Sequence, residues 1–249
     1  MAKKKKTKEE SIPLFLIKFT LAGLLLVAII LVGYFKFGPQ LKRHYPSLRN
    51  RYATKGIDIA RFAGKVDWEA VADQGYGFVY MKATEGTSYV DPNYAKYYQK
   101  AKLAGLRVGA YHFFRFDQSG SDQAQNFLSV ALIDTTDMPL VIDVEEYTNY
   151  EVNATQAQEV RAVLTEMIAI VESRIGRKVM LYSNKRGYER IIAGFFKDNP
   201  IWICDISGAR PSLVDGREWT MWQHTHDAHI KGVQGPVDLN VVQNFANLN

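Results

Sequence analysis

Cysteine is nearly absent from this chain of 249 residues: Cys204 stands alone. One thiol can neither close an intramolecular disulfide nor furnish a cysteine-rich zinc site, so the fold must hold by packing. No G-x-S-x-G nucleophile elbow surrounds Ser183, which excludes a serine hydrolase of that design. The segment "GYGFVY" (75–80) has two glycines but precedes a strand-like run and does not open a helix. It is a turn, and no cofactor is implied. In "HTHDAH", His224, His226 and His229 have ligand-like spacing without a zinc motif, so they read as solvated loop histidines and no metal is expected. Internal repeats and the motifs of common nucleic-acid readers are also missing.

The net charge of +5 conceals an asymmetry. Residues 1–55 hold twelve Lys/Arg against two Asp/Glu, whereas the remainder holds nineteen against twenty-four. The basic excess therefore lies outside the folded part, and nucleic acid is not an expected partner.

Residues 19–35 carry no charge, and only Lys18 interrupts the apolar stretch that begins at Ile12. At about 1.5 Å per residue such a run crosses a hydrocarbon core of about 30 Å. The run is long for the apolar region of a signal peptide, and no A-x-A site follows it. The expected organisation is a basic tail (1–11), one transmembrane helix (12–35), a stalk (36–55) and a catalytic domain (56–249). Lys36, Lys42, Arg43, Arg49 and Arg51 load the far flank about as heavily as the N-terminal lysines load the near one, so charge alone leaves the orientation open.

Beyond the stalk, short β-type runs alternate with helical patterns, the signature of βα units around a largely parallel sheet. Strands are expected at 56–60, 77–83, 107–113, 139–144, 178–183, 200–205, 219–224 and 237–242. Helices are expected between most of them, the longest over 153–175. Asp91 and Pro92 read as an N-cap and a first helical residue, with Gly105 as the stop. Eight strands with fewer helices in under 200 residues predict an α/β fold, a modified and incomplete (β/α) TIM-like barrel, preceded by the transmembrane helix. A doubly wound open sheet is the alternative.

The stretch "LVIDVEEY" (140–147) puts Asp143, Glu145 and Glu146 where an apolar strand is ending. Residues two apart on a strand share a face, so Asp143 and Glu145 point together and Glu146 points away. Unpaired charges beside a buried run cost several kcal/mol, which makes such a cluster a candidate site. Parallel barrels carry their chemistry at the C-terminal strand ends, where Asp58, Lys82, Glu85, His112 and Asp205 are also expected. Asp238, near the start of the last run, is placed there less directly. Crowded carboxylates push their pKa values apart, which equips one to donate a proton to a glycosidic oxygen. Glycoside hydrolysis is thus the first class to consider, and metal-dependent hydrolysis the second. Tyr111, Phe113, Tyr147, Tyr182, Trp202 and Trp222 supply aromatic faces near these strands.

The ordered segments "GIDIARFAGKVDWEAV", "FVYMKATEGTSYVDPNY", "AGLRVGAYHFFRF", "PLVIDVEEY", "MWQH" and "GPVDLNVV" resemble glycoside hydrolase family 25, the N-acetylmuramidase lysozymes. The resemblance covers Gly56 to about Phe245. It departs at "ARF" after the GID, where a serine is common, and in the N-terminal anchor. It implies an incomplete β/α barrel that cuts the β-1,4 bond between N-acetylmuramic acid and N-acetylglucosamine. Glu145 would be the general acid, Asp143 its companion in a substrate-assisted reaction, and Asp58 and Asp238 the rest of an acidic floor. Tyr111, Tyr182, Trp222 and Gln223 would lie near the substrate groove, with Lys82 and Glu85 beside them. The implied partner is the peptidoglycan glycan strand, and the implied location is the cytoplasmic membrane, with the catalytic domain facing outward. A non-catalytic wall-binding protein and a chitinase-like hydrolase are the rival readings.

Overall fold

The computed structural model describes residues 23, 25–29, 31–32, 55–134, 137–147 and 152–243. The chain divides into two units, Met1–Tyr45 and Pro46–Asn249. In the first, the described residues are helical, and Leu25, Leu26, Val27, Ile29, Leu31 and Val32 are exposed. Among the described residues no helix is long and apolar enough to cross a membrane. Most of the span expected over 12–35, and all of the 1–11 tail, lie outside the described residues.

The described residues of the second unit form nine strands: β1 (Lys55–Ile59), β2 (Phe78–Glu85), β3 (Tyr89–Val90), β4 (Arg107–Phe113), β5 (Val141–Asp143), β6 (Met180–Asn184), β7 (Ile201–Cys204), β8 (Met221–Ala228) and β9 (Val237–Val242). The hydrogen-bonded order β1-β9-β8-β7-β6-β5-β4-β2 closes on itself because β1 also pairs with β2. The two-residue β3 hangs antiparallel on β2. Parallel pairing runs from β1 through β8. The exception is β9, antiparallel to both neighbours. The ring is therefore an eight-stranded barrel with one inverted strand, and the open-sheet alternative does not hold.

Helices cover only part of the ring. They are α1 (Trp68–Asp73), α2 (Tyr94–Leu103), α3 (Gly120–Val130) and α4 (Ala154–Ile175). Beyond β6 a short helical segment continues through a π turn at Tyr188–Ile192. Among the described residues no helix separates β7 from β8 or β8 from β9. Local chemistry explains the boundaries. Asp67 caps α1 by accepting from the Ala70 amide. Asn153 and Gln156 form a reciprocal capping box on α4, and Gly176 ends that helix in the left-handed conformation. Asp91 caps the turn that leads into α2, its carboxylate accepting from the amide two residues on. Helix α2 starts at Tyr94 after Asn93, and Asp91 accepts from the amides of Asn93 and Arg61.

Two apolar layers result. One lies between the strands and the helices, and the other fills the barrel with Phe78, Tyr80, Met180, Trp202 and Met221. Glycine makes room inside: a Cβ on Gly109 would sit 2.1 Å from the Tyr80 ring. Trp202 is gripped between Tyr80 and Tyr182, with ring centroids at 4.9 and 4.8 Å. This aromatic plug closes the lower barrel and leaves the polar chemistry to the upper end.

The strand β8 runs on to Ala228 because it zips antiparallel to β9, with register shifts after Gln223 and Thr225. His224 and His226 thus lie on a strand, not in a loop, and His229 follows it. The β5 ladder stops at Asp143, so Glu145 lies two residues past the strand expected to carry it.

Candidate active site

The upper end of the barrel holds a cavity of about 90 Å³. Val141, Trp202, Tyr111 and Tyr182 line it with apolar and aromatic surface. Asp58, Asp143, Glu145, Asp238 and Gln223 also line it. Strand parity explains the convergence: inward positions alternate along each strand, so Asp58 sits one step above Gly56, Asp143 above Val141, Tyr182 above Met180 and Gln223 above Met221. Asp238 reaches the same rim from the beginning of its strand because β9 is inverted, and it lies directly opposite Asp58.

A polar network holds the acids. Gln223 donates through Nε2 to Asp58 Oδ2 at 2.8 Å and to Asp238 Oδ2 at 3.3 Å. Its Oε1 accepts from the Tyr182 hydroxyl at 2.8 Å and from His226 Nε2 at 2.9 Å. Asn240 donates to Asp58 Oδ2 at 2.7 Å, and its own oxygen accepts from Trp202 Nε1 at 2.9 Å. Asn184 Nδ2 stands 3.4 Å from Glu145 Oε2. Asp143 differs from the rest, for its Oδ1 is buried and has no hydrogen-bond partner among the described residues. An orphaned buried oxygen costs about 1–3 kcal/mol, a debt that a ligand donor would cancel.

All four acids hold their protons above the ordinary carboxylate range. Burial pushes Asp58 up to about 7, helped by the Asp238 charge and opposed by the Asn240 and Gln223 amides. Burial and the Glu145 charge raise Asp143 strongly. Glu145 and Asp238 are raised chiefly by burial; the Asn184 hydrogen bond restrains the first and the His226 charge the second. Lys82 is a smaller restraining charge on Asp143 and Glu145. The cavity is thus a reservoir of protons in an acid-rich, poorly solvated space.

The other expected residues fall elsewhere. Glu146 points away and binds Arg186 at 2.9 Å, Arg190 at 2.7 Å and the Val152 amide. Lys82 and Glu85 pair with each other at 2.6 Å and do not line the cavity. Trp222 neighbours Gln223 and so faces outward, donating to the Asp205 carbonyl and packing on Trp219. His112 also faces out, buried between Thr84 and Gln123, and burial lowers its pKa to about 4. Asp205 pairs with Lys185 at 2.7 Å. Ser183 donates to the Val144 carbonyl. Among the described residues no three His, Cys, Asp or Glu side chains converge as a metal set. Sequence reasoning passed over Asn184, Asn240 and the bond from His226. The available signal for Asn240 was its spacing of two from Asp238.

The family model for glycosyl hydrolases family 25 matches residues 57–233. The chain belongs to this family. The uncharacterized protein YegX of Escherichia coli K12 is 36% identical over 195 residues, 76% of this chain and 70% of that protein. Lysozyme M1 of Streptomyces globisporus is 31% identical, covering 75% and 66%. The family 25 glycosyl hydrolase from Bacillus anthracis superposes with a TM-score of 0.72 at 36% identity, over 78% of this chain and 91% of that one. Membership makes the chain a glycosidase, and two crowded carboxylates, one ending β5 and one two residues beyond it, suit that chemistry.

Proposed function

We propose that this family 25 chain is a peptidoglycan hydrolase, an N-acetylmuramidase that cuts the β-1,4 bond between N-acetylmuramic acid and N-acetylglucosamine. The observation that carries the reading is the buried, partnerless Oδ1 of Asp143 on the same cavity as the proton-holding Glu145. An acetamido sugar supplies the missing donor through its N–H.

In this mechanism Glu145 gives its proton to the glycosidic oxygen as the C1–O bond breaks. The acetamido carbonyl oxygen of the same sugar forms the new bond to C1, and Asp143 holds that group and balances the cyclic cation. Water then opens the cation and returns a proton to Glu145. Asp58 and Asp238, tied through Gln223, add negative potential below the reacting carbon. Proton NMR of the first-formed anomer tests the scheme, which requires retention. Mass spectrometry of the products must show muramic acid at the new reducing end.

The N-terminal segment supports a further reading: a single membrane span over 12–35 with the basic tail inside and the barrel outside, where the wall lies. The exposed leucine, valine and isoleucine side chains of the described helical residues favour an apolar surround. Fractionation of cells followed by protease treatment of intact spheroplasts tests it; a barrel in the soluble fraction, or one shielded from protease, would overturn it.

A further inference from the structure

Arg61 and Phe62, in the 3₁₀ turn Arg61–Ala63 that follows β1, take no part in the cavity described above. The turn is pinned at several points. The Arg61 amide donates to Asp91 Oδ2 at 3.0 Å, Gly235 donates to the Ala63 carbonyl at 3.0 Å, and the Tyr97 hydroxyl donates to the Gly64 carbonyl. Its two leading side chains are nevertheless left in solvent, with Phe62 74% exposed. An exposed phenylalanine alone is ordinary. Here it lies under a cation: the Arg61 guanidinium is 4.7 Å from the Phe62 ring centroid and 6.0 Å from that of Tyr89.

These contacts form a continuous row toward the acids. Tyr89 lies 5.5 Å from Lys82 Nζ, and Lys82 is the cross-strand partner of Tyr111, which lines the cavity. The two cations of the row differ in one respect. Lys82 is paired with Glu85. Arg61 meets aromatic rings and, among the described residues, no carboxylate within ion-pair distance. A rigid turn thus presents an open ring face beside an uncompensated guanidinium. A ring face suits the C–H side of a sugar, and a guanidinium suits a carboxylate.

We infer that Arg61 and Phe62 form a subsite for a carboxylate-bearing saccharide of the substrate strand, beyond the sugar held at Asp143. The inference rests on the muramidase reading and adds to it a preference for anionic strands. The carboxylate belongs to a muramic acid unit. It is the lactyl group on strands stripped of peptide, or a stem-peptide carboxylate on intact strands.

The test measures kcat and KM of the full-length chain on intact strands, on peptide-free strands, and on peptide-free strands with their carboxylates amidated. Arg61→Gln should raise KM roughly three- to tenfold on a carboxylate-bearing strand and leave kcat within about twofold. The strand type that responds identifies the source of the carboxylate. On the amidated strand Arg61→Gln should change nothing, whereas Phe62→Ala should raise KM on charged and neutral strands alike. If the wild type cleaves these strands and Arg61→Gln has the same KM as wild type on both anionic ones, the subsite is refuted and the muramidase reading stands. A wild-type chain that cleaves none of the three overturns both.

Discussion

Asp58 and Asp238 are direct cross-strand partners on β1 and β9, and one amide nitrogen, Nε2 of Gln223, donates to both. Like charges in such register repel. Gln223 moderates the repulsion from above while its oxygen is held by Tyr182 and His226. Replacing the amide by an apolar side chain of similar length should therefore expose the conflict. Gln223→Met is expected to lose about 1–3 kcal/mol of stability at pH 8, where charge is greatest, and less at pH 4. Thermal melts at the two pH values check this; equal losses would contradict it.

The pH dependence of Asp58 runs in a defined direction. Its proton is held up to about 7 in the folded chain against 3.8 for an ordinary solvated aspartate. Between those values the folded state binds more protons than the unfolded one, so stability falls as pH rises through the window. The contribution is intact below about pH 4, and the penalty is complete above about 7. Asp58→Asn should gain roughly 2–4 kcal/mol over wild type at pH 8 and almost nothing at pH 4, while activity drops. Denaturant melts across this range would expose a pH-independent difference, which would rule the account out.

Glu145 and Glu146 are adjacent but occupy different surroundings. Glu145→Gln should reduce peptidoglycan solubilisation by about a hundred- to ten-thousandfold without lowering the melting temperature. Glu146→Gln weakens the links to Arg186 and Arg190 and should cost stability of about 1–2 kcal/mol, with turnover kept within a few-fold. Dye release from sacculi, paired with melting curves, separates the two; comparable activity losses would sink the division of roles.

Lys82 lowers the pKa values of Asp143 and Glu145 through its charge. Its removal in Lys82→Met should raise both, so the acid keeps its proton to higher pH. The alkaline limb of kcat/KM is expected to move to higher pH. A limb that stays fixed or moves down would show that Lys82 does not act on the site.

Much of this arrangement was legible beforehand because strands announce themselves by apolar runs of fixed length. The runs at 107–113 and 237–242 match β4 and β9 residue for residue. The direction of β9 was not legible, since apolar alternation reads the same in either direction and only the pairing with β1 and β8 fixes it. Trp222 shows a different limit. Its neighbour Gln223 already occupied the inward face, and the parity of a strand forbids both from turning in. His112 looked like a rim residue because it ends an apolar run, yet its parity sends it outward to α3. Helix α2 is regular from Tyr94, after the turn that Asp91 caps through the Asn93 amide, and the same carboxylate also holds the Arg61 amide, a long-range bond that local spacing cannot announce.

The inverted last strand also sets an order of assembly. Asp58 and Asn240 are 182 positions apart, so the floor of the cavity cannot exist until the two ends of the barrel domain have met. A nascent chain still short of Val237 lacks Asp238 and Asn240, and a clipped chain loses them first. The half-made molecule carries Glu145 without the linked Asp58–Asp238 pair that completes its cavity, and should be without activity until β9 is in place.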